Sequence, residues 1–565
     1  MAAEQTTVLA LGRAGTSRFV QQWLPVLISA ALILVALIFG ILTTRGLSWP
    51  DLTDQSLGEG PGLYRDMASA RTMLEGEYGP DPIYLGERTW YNPVVPALIA
   101  GVTFVTGQPL HVVTTRIGTY ANLLAPLCFF WMAAVLFGRW TALFSLAAFL
   151  FLLPGSLPAW LSATYSPWLM PVNFVQSFFY LLVIAWYRAQ RKGSARAYVL
   201  PGILWGITFL GHTAPALVFG GMTLLWMADV AWSVQRGFTW RISRASVVRW
   251  SIMVVAALVV SAPFLAVIAG HYGLRIRNPV PSANSVSLLS RDLPELIWLH
   301  LTVPMAIAMF GLWIVVTRSF RPVSRRLLLG WIAVTGVFLV YSFLRLGAKL
   351  GGVILPNIVP SFHFFFYLKA ATAVLFGVGV TWLGRMAAIA IARRRGSEAT
   401  GSMRPLLVSA LVCAVLLAFQ ARTYAARDNF QAARRGAITT AGSDQIHVLE
   451  WLLSHHGPSD VALASDDDAT FVCAPSGVRA VMAWPVWSNP YIDLQPRAQA
   501  RDAMFNALDG DDSAAFRELA QRYGVTFVIT ESPRSARYDA KTPSDLELVL
   551  SAGSRRVYRV RQAGS

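Results

Sequence analysis

The sequence predicts a polytopic α-helical membrane protein of about eleven transmembrane helices, followed by a C-terminal extracytoplasmic α/β domain. Three observations predict it. Apolar runs of about 20 residues, the length that crosses a ~30 Å hydrocarbon core, recur along most of the chain. Of its 565 residues, 55% are hydrophobic and only 14% charged. The Lys and Arg residues gather in short connections between the apolar runs, within 187–198, 233–249, 318–327 and 385–404. The net charge of +17 is therefore a topology signal of the positive-inside kind. No nucleic-acid partner is needed to explain it.

The first run, 22–44, is too long for a signal-peptide core and no small-residue cleavage site follows it, so it reads as a retained helix. Its helix is expected near 22–43. Further helices are expected near 111–137, 139–158, 169–187, 199–212, 213–232, 247–270, 297–317, 328–345, 364–384 and 405–421. The stretch 199–232 would make a helix of about 51 Å at ~1.5 Å per residue, too long for one crossing, so a hairpin turning near GHTAP (211–215) is expected. With the basic connections inside, the N-terminus is cytoplasmic, and 44–93, 159–168, 271–296 and 346–363 lie on the outer face. The membrane domain then covers 1–430.

The soluble domain covers 440–565. Strands are expected at 460–465, 477–484, 525–530 and 555–560, and a helix at 513–524 with Gly524 as its C-cap. Cys128, Cys413 and Cys473 are far apart, with no CxxC or Cys/His spacing, so they support neither a disulfide framework nor a structural zinc.

The acids are unevenly placed. Residues 94–420 contain only Asp229, Asp292, Glu295 and Glu398, whereas the outer loop 44–93 holds Asp51, Asp54, Glu59, Asp66, Glu75, Glu77, Asp81 and Glu87. Within that loop Leu63, Met67, Ala70 and Leu74 recur at helical spacing, which predicts an amphipathic helix against the outer membrane interface. Gly79 and Pro80 end it, and Trp90, Tyr91 and Pro93 lead back toward the bilayer. Glu75, Glu77 and Glu87 are expected on the solvated face, and Asp81, in a Gly-Pro-Asp-Pro turn, is expected to shape that turn.

A first helix, a large outer loop with an acid soon after it, the element ARTMLEGEYG (70–79) and the following WYNPVVPAL resemble the GT-C glycosyltransferase superfamily. Its members include protein O-mannosyltransferases, oligosaccharyltransferases and lipid A aminoarabinose transferases. The resemblance implies a membrane enzyme of a bacterial-type plasma or inner membrane. It would move a sugar from a polyprenyl-phosphate donor to a glycan, lipid or protein acceptor on the extracytoplasmic face, with inversion. In such enzymes an acid of the first outer loop is the base, and an acceptor hydroxyl that attacks an anomeric carbon must indeed lose its proton to some group. Many relatives carry an Asp-Glu pair where this chain has Gly62-Leu63, with Asp66 in a later position. Asp66 is the expected base, with Asp54 and Asp51 as alternatives. Tyr84, Tyr91 and Asn92 are candidates for contact with substrate or acceptor.

A phosphate leaving group needs positive charge on the outer side, against the general bias. Arg345, Lys349, His363 and Lys369 supply it. Lys369 falls within an otherwise apolar helix, where an uncompensated charge costs about 2.5–3.5 kcal/mol on insertion scales. The resemblance assigns donor phosphate to His363 and Lys369, with Arg345 next. The plainer alternative is that Lys369 snorkels to lipid headgroups and His363 is interfacial. His212 is expected to cap the hairpin turn.

The acids of DDDAT (466–470) read as a solvated turn, so no metal site is expected there, and the resemblance leaves a divalent cation open as cofactor. The segment 487–501 reads either as an acceptor contact or as a loop capping the sheet. A transporter or flippase of an envelope lipid is the alternative function, but it calls for ionisable groups near the midplane, which the acids avoid. A non-enzymatic scaffold for the outer domain would hardly need eleven crossings.

Overall fold

The computed structural model describes residues 20–49, 59–153, 165–228, 231–233, 237–239, 242–280, 302–318, 322–353, 355, 359, 362–394, 404–425 and 443–561. Apolar sequence without interior acids folds into long helices because a helix satisfies its own backbone hydrogen bonds. Among the described residues, five stretches are long and apolar enough to cross a membrane: Leu24–Thr44, Leu110–Phe137, Arg244–His271, Pro322–Arg345 and His363–Ile391. Six shorter apolar helices accompany them, Val94–Thr106, Arg139–Leu152, Ala195–Gly211, Thr213–Met227, Val303–Thr317 and Pro405–Gln420.

In chain order the principal helices are α1 (Leu24–Thr44), α2 (Glu59–Leu74), α3 (Val94–Thr106), α4 (Leu110–Arg116), α5 (Leu124–Phe137), α6 (Arg139–Ala147), α7 (Gln176–Lys192), α8 (Val199–Gly211) and α9 (Thr213–Met227). They continue as α10 (Arg244–Ala266), α11 (Val303–Thr317), α12 (Pro322–Leu350), α13 (Phe362–Arg394) and α14 (Arg404–Ala425). Helix α13 packs against α6, α11, α12 and α14 and buries Phe366, Ala370, Val374, Phe376 and Val380. Its neighbours approach closely through glycine. A methyl at Gly311 of α11 would run into the Leu375 carbonyl, and one at Gly377 would meet Ser145 and the Thr141 carbonyl. Small residues let helix backbones touch where no water drives them together.

The helix expected at 111–137 is present as the stretch Leu110–Phe137, interrupted at Ile117 and at 122–123. Asn122 donates to the carbonyls of Ser166 (2.8 Å) and Trp168 (2.6 Å), and Gly118 abuts the backbone of 167–169, so the returning chain wedges between α4 and α5. The expected hairpin at 199–232 is present. Gly211 packs on Val175, and extended His212 (φ −166°, ψ 136°) accepts a hydrogen bond at Nδ1 from the Ala214 amide, 3.1 Å, capping α9.

The α/β region begins with α15 (Asp444–His455) and continues through α16 (Gln495–Asp509), α17 (Ser513–Tyr523) and α18 (Arg534–Ala540). Its strands are β1 (Val461–Leu463), β2 (Arg479–Ala480), β3 (Val525–Thr530), β4 (Leu546–Ala552) and β5 (Arg555–Val560), in the sheet order β2-β1-β3-β5-β4. β1 runs parallel to β2 and β3, while β5 is antiparallel to β3 and β4. Gly524, at φ 70°, ends α17 as expected. Two expectations fail here. Half of the segment read as a loop at 487–501 is the start of α16. The acids of 466–470 are also paired rather than simply solvated, with Asp466 and Asp467 half-buried and Asp468 buried. Asp466 pairs with Arg501, Asp467 accepts from Trp484 Nε1 at 2.7 Å, and buried Asp468 pairs with Arg555 at 3.0 Å.

Helix α2 is the main correction. Its apolar spacing does make a helix, but not one lying on an interface with a wet polar face. Leu63, Tyr64, Met67, Ala68 and Ala70 are all buried. Tyr64 and Met67 share one core with Ile446, Leu449, Phe471 and Phe527 of the α/β region, and Tyr64 meets Phe471 edge-on at 5.5 Å. The loop's acids follow the same logic. Glu77 pairs with Arg479 at 2.6 Å, Glu75 with His456 at 3.4 Å, and Glu87 with Arg497 at 3.6 Å. Asp81 does shape its turn, accepting from the amides of Ile83 (2.8 Å) and Tyr84 (3.2 Å), and its second oxygen takes Asn489 Nδ2 at 3.0 Å. The outer loop is acidic largely because it docks on cations of the α/β region.

Candidate active site

One loop acid takes no part in that docking. Asp66 lies on α2 beside Arg65 and is fully buried. Its Oδ1 accepts from Arg65 Nε (3.3 Å) and Nη2 (3.2 Å), and its Oδ2 has no hydrogen-bond partner among the described residues. Burial pushes the carboxyl up to about 6, and Arg65 only partly offsets it. Such a group sits near the pH at which it must change protonation state.

Arg65 is itself sandwiched. Its guanidinium lies 3.5 Å from the ring centroid of Tyr91 and 5.4 Å from that of Trp487, which comes from the α/β region. Tyr91 is pushed well up by burial, eased by Arg65 and raised again by Asp66, so it stays a neutral phenol. Asn92 donates to the Phe209 carbonyl at 2.6 Å, which ties this wall to the end of α8. The turn after α8 brings His212 to the same place. Its ring is 4.6 Å from that of His363 at the start of α13, and burial, His363 and Arg65 together hold it well below the ordinary imidazole range. With Nδ1 accepting from Ala214, neutral His212 carries its proton on Nε2.

The structure thus brings Asp66, Tyr91 and His363 into one neighbourhood, linked by Arg65 and His212. Lys369 is buried about two turns deeper on α13, and Arg345 sits near the end of α12 with Nε 3.4 Å from the Leu355 carbonyl. Tyr84 is placed in the docking contact instead: fully buried, its hydroxyl shares a 2.7 Å hydrogen bond with Ser488, and Arg497 lies over its ring at 4.7 Å. Asp54 and Asp51 lie outside the described residues. Among the described residues no three His, Cys, Asp or Glu side chains converge, and the neighbour of Asp66 is a guanidinium.

Sequence reasoning missed Arg65 and gave His212 only a capping role. Arg65 carried a readable signal, being a cation on the outer side directly beside the favoured acid. His212 carried none, because its place depends on the hairpin, and Trp487 was visible only as the first residue of the segment 487–501.

No family model and no curated relative matches this chain. Solved structures do. The aminoarabinose transferase ArnT from Cupriavidus metallidurans, bound to undecaprenyl phosphate, aligns with a TM-score of 0.55 over 94% of this chain and 97% of that one, at 14% identity. This is a GT-C fold. The oligosaccharyltransferase AglB from Archaeoglobus fulgidus, in complex with an inhibitory peptide and a dolichol-phosphate, aligns at 0.51 over 92% of this chain and 71% of its own, at 12% identity. The mycobacterial arabinofuranosyltransferase AftD aligns at 0.51 over 95% and 41%, at 13% identity. The GT-C fold accounts for the polytopic helical bundle and for the α/β region that follows it.

Proposed function

We propose that this GT-C protein is an inverting glycosyltransferase that uses a polyprenyl-phosphate sugar. The acceptor hydroxyl attacks the anomeric carbon as the bond from that carbon to the phosphate oxygen breaks. The hydroxyl proton passes to Asp66 Oδ2, and the polyprenyl phosphate leaves with the bonding electron pair. His363 and Lys369 hold the departing phosphate, with Arg345 further out, and Tyr91 and Asn92 line the sugar's approach. Asp54 and Asp51 are the reserve candidates for the base. The membrane domain, 1–430, crosses about eleven times in a bacterial-type plasma membrane. Its N-terminus is cytoplasmic, and the α/β domain, 440–565, is extracytoplasmic. A glycan, lipid or protein serves as acceptor.

The observation that carries this reading is the buried Asp66 carboxyl, poised near 6, with one oxygen unengaged by any described residue. Its test is transfer from a panel of labelled polyprenyl-phosphate sugars by the protein in proteoliposomes. Asp66→Asn is expected to lose transfer by roughly a thousandfold or more while still binding polyprenyl phosphate. An Asn variant that transfers as well as the wild type removes Asp66 as the base.

A further inference from the structure

The bundle has a second concave site, at the end opposite Asp66. The last turn of α7, the 195–198 turn, the end of α9 and the start of α10 enclose a shallow recess that is partly open to solvent. Its walls are aromatic: Trp186, Tyr198, Trp226 and Trp250 line it, with half-buried Arg249 among them. We propose that this recess binds the headgroup of an anionic glycerophospholipid from the leaflet opposite the α/β region.

Three observations favour that occupant. The first is charge. The described lining holds Arg249 and no carboxylate, and the exposed Arg191, Lys192, Arg196 and Arg244 lie within a few residues of lining residues along the chain. Basic recesses between membrane helices suit anionic headgroups.

The second is the state of the polar groups. Trp250 Nε1 already donates to Thr223 (3.2 Å), and the Tyr198 hydroxyl donates to Gln190 Oε1 (3.0 Å). Ser246 Oγ accepts from Ser243 (2.8 Å) and Arg249 hydrogen-bonds the Tyr198 hydroxyl, which leaves the Ser246 hydroxyl proton, the Gln190 amide N–H groups and the remaining Arg249 N–H groups to donate. A recess that still offers N–H and O–H donors, one of them a guanidinium, fits a phosphodiester and its glycerol oxygens.

The third is the flank. Val199, Leu200 and Ile203 of α8 and Val247 and Val248 of α10 are exposed beside the mouth, where acyl chains would cover them. A soluble anion would leave that apolar flank unused. The nearest acid in sequence, Asp229, lies outside the described residues and enters as a variant.

The test is lipid retention by the full-length protein, released from nanodiscs of mixed phosphatidylglycerol and phosphatidylcholine and read by native mass spectrometry. The wild type is expected to keep phosphatidylglycerol in preference to phosphatidylcholine. Arg249→Gln, which removes the charge, and Ser246→Phe, which fills the recess with the charge intact, are each expected to cut that preference on the order of five- to tenfold. Arg196→Gln, which removes an equal charge from outside the lining, is expected to leave it nearly unchanged, and Asp229→Asn to leave it equal or stronger. If Arg249→Gln fails to fold, as judged by size exclusion, Ser246→Phe decides alone. Equal losses in Arg196→Gln and Arg249→Gln, no preference in the wild type, displacement by millimolar glycerol phosphate, or stronger retention of polyprenyl phosphate at this site would each overturn the proposal.

Discussion

Asp66 is ionised at the expense of the fold that holds it. Burial raises its carboxyl from 3.8 to about 6, so the folded chain binds this proton more tightly than the unfolded chain does. Stability from this group is therefore complete below pH ~4, declines as pH rises toward about 6, and is flat above. Asp66→Asn is expected to melt higher than the wild type at pH 7.5 by up to about 3 kcal/mol, with no gain at pH 4, in thermal unfolding in detergent. Activity has the opposite slope, since a base works when deprotonated. The rate constant kcat/KM is expected to rise through about pH 6 and level off above it. Arg65 lowers the Asp66 value, so Arg65→Met is expected to move the acidic limb of that profile to higher pH, whereas a merely structural loss would lower the plateau without moving the limb. The sequence made Asp66 conspicuous because acids are scarce in this chain. It did not disclose the burial of Asp66 or the His212–His363 pair, since those neighbours are contributed by α8, α9 and α13 through tertiary packing.

At the scale of elements, α2 shows what hydrophobic spacing can and cannot reveal. Leu63, Met67, Ala70 and Leu74 gave its periodicity, but a buried face looks the same in sequence whether lipid or protein covers it. What covers it here is the 469–476 segment of the α/β region, about 400 residues away, and Glu77 with Arg479 fastens the contact. A double-mutant cycle on Glu77→Gln and Arg479→Gln is expected to show coupling of about 1–2 kcal/mol, read from hydrogen exchange of α2 amides. His456 is held above its ordinary value by its hydrogen bond to Glu75, so this part of the contact is strongest below about pH 6.5 and weakens as pH rises past the raised value. Helix α3, of 13 residues, fell below the length that marks a crossing, and α4 and α5 read as one helix because Gly118 and Asn122 look innocuous until 165–170 packs beside them. Within the bundle, Gly311→Ala is expected to destabilise by roughly 1–3 kcal/mol, because the added methyl forces α11 away from α13.

For the whole molecule, the polytopic helical character was the most legible property, because the lengths of the apolar runs follow from the cost of moving bare backbone into hydrocarbon. Sidedness has a direct check, since Cys128, Cys413 and Cys473 are all buried and give little background. A membrane-impermeant maleimide applied to intact cells is expected to label Ser551→Cys in β4 and to reach Ser194→Cys, before α8, only after permeabilisation. Less legible was the union of the two parts. Residues between Tyr64 and Tyr84 contribute to the core of the α/β region, and the Ala480 amide donates to the Ile83 carbonyl at 2.7 Å, so a piece of the membrane half extends the other half's sheet edge. A swap experiment inherits that constraint. Grafting the C-terminal portion of a relative onto this bundle at the obvious seam, near residue 440, would strand Tyr64, Met67 and Tyr84 against a foreign surface. A working hybrid has to transplant 59–93 together with 443–561, as if the two stretches were a single cassette.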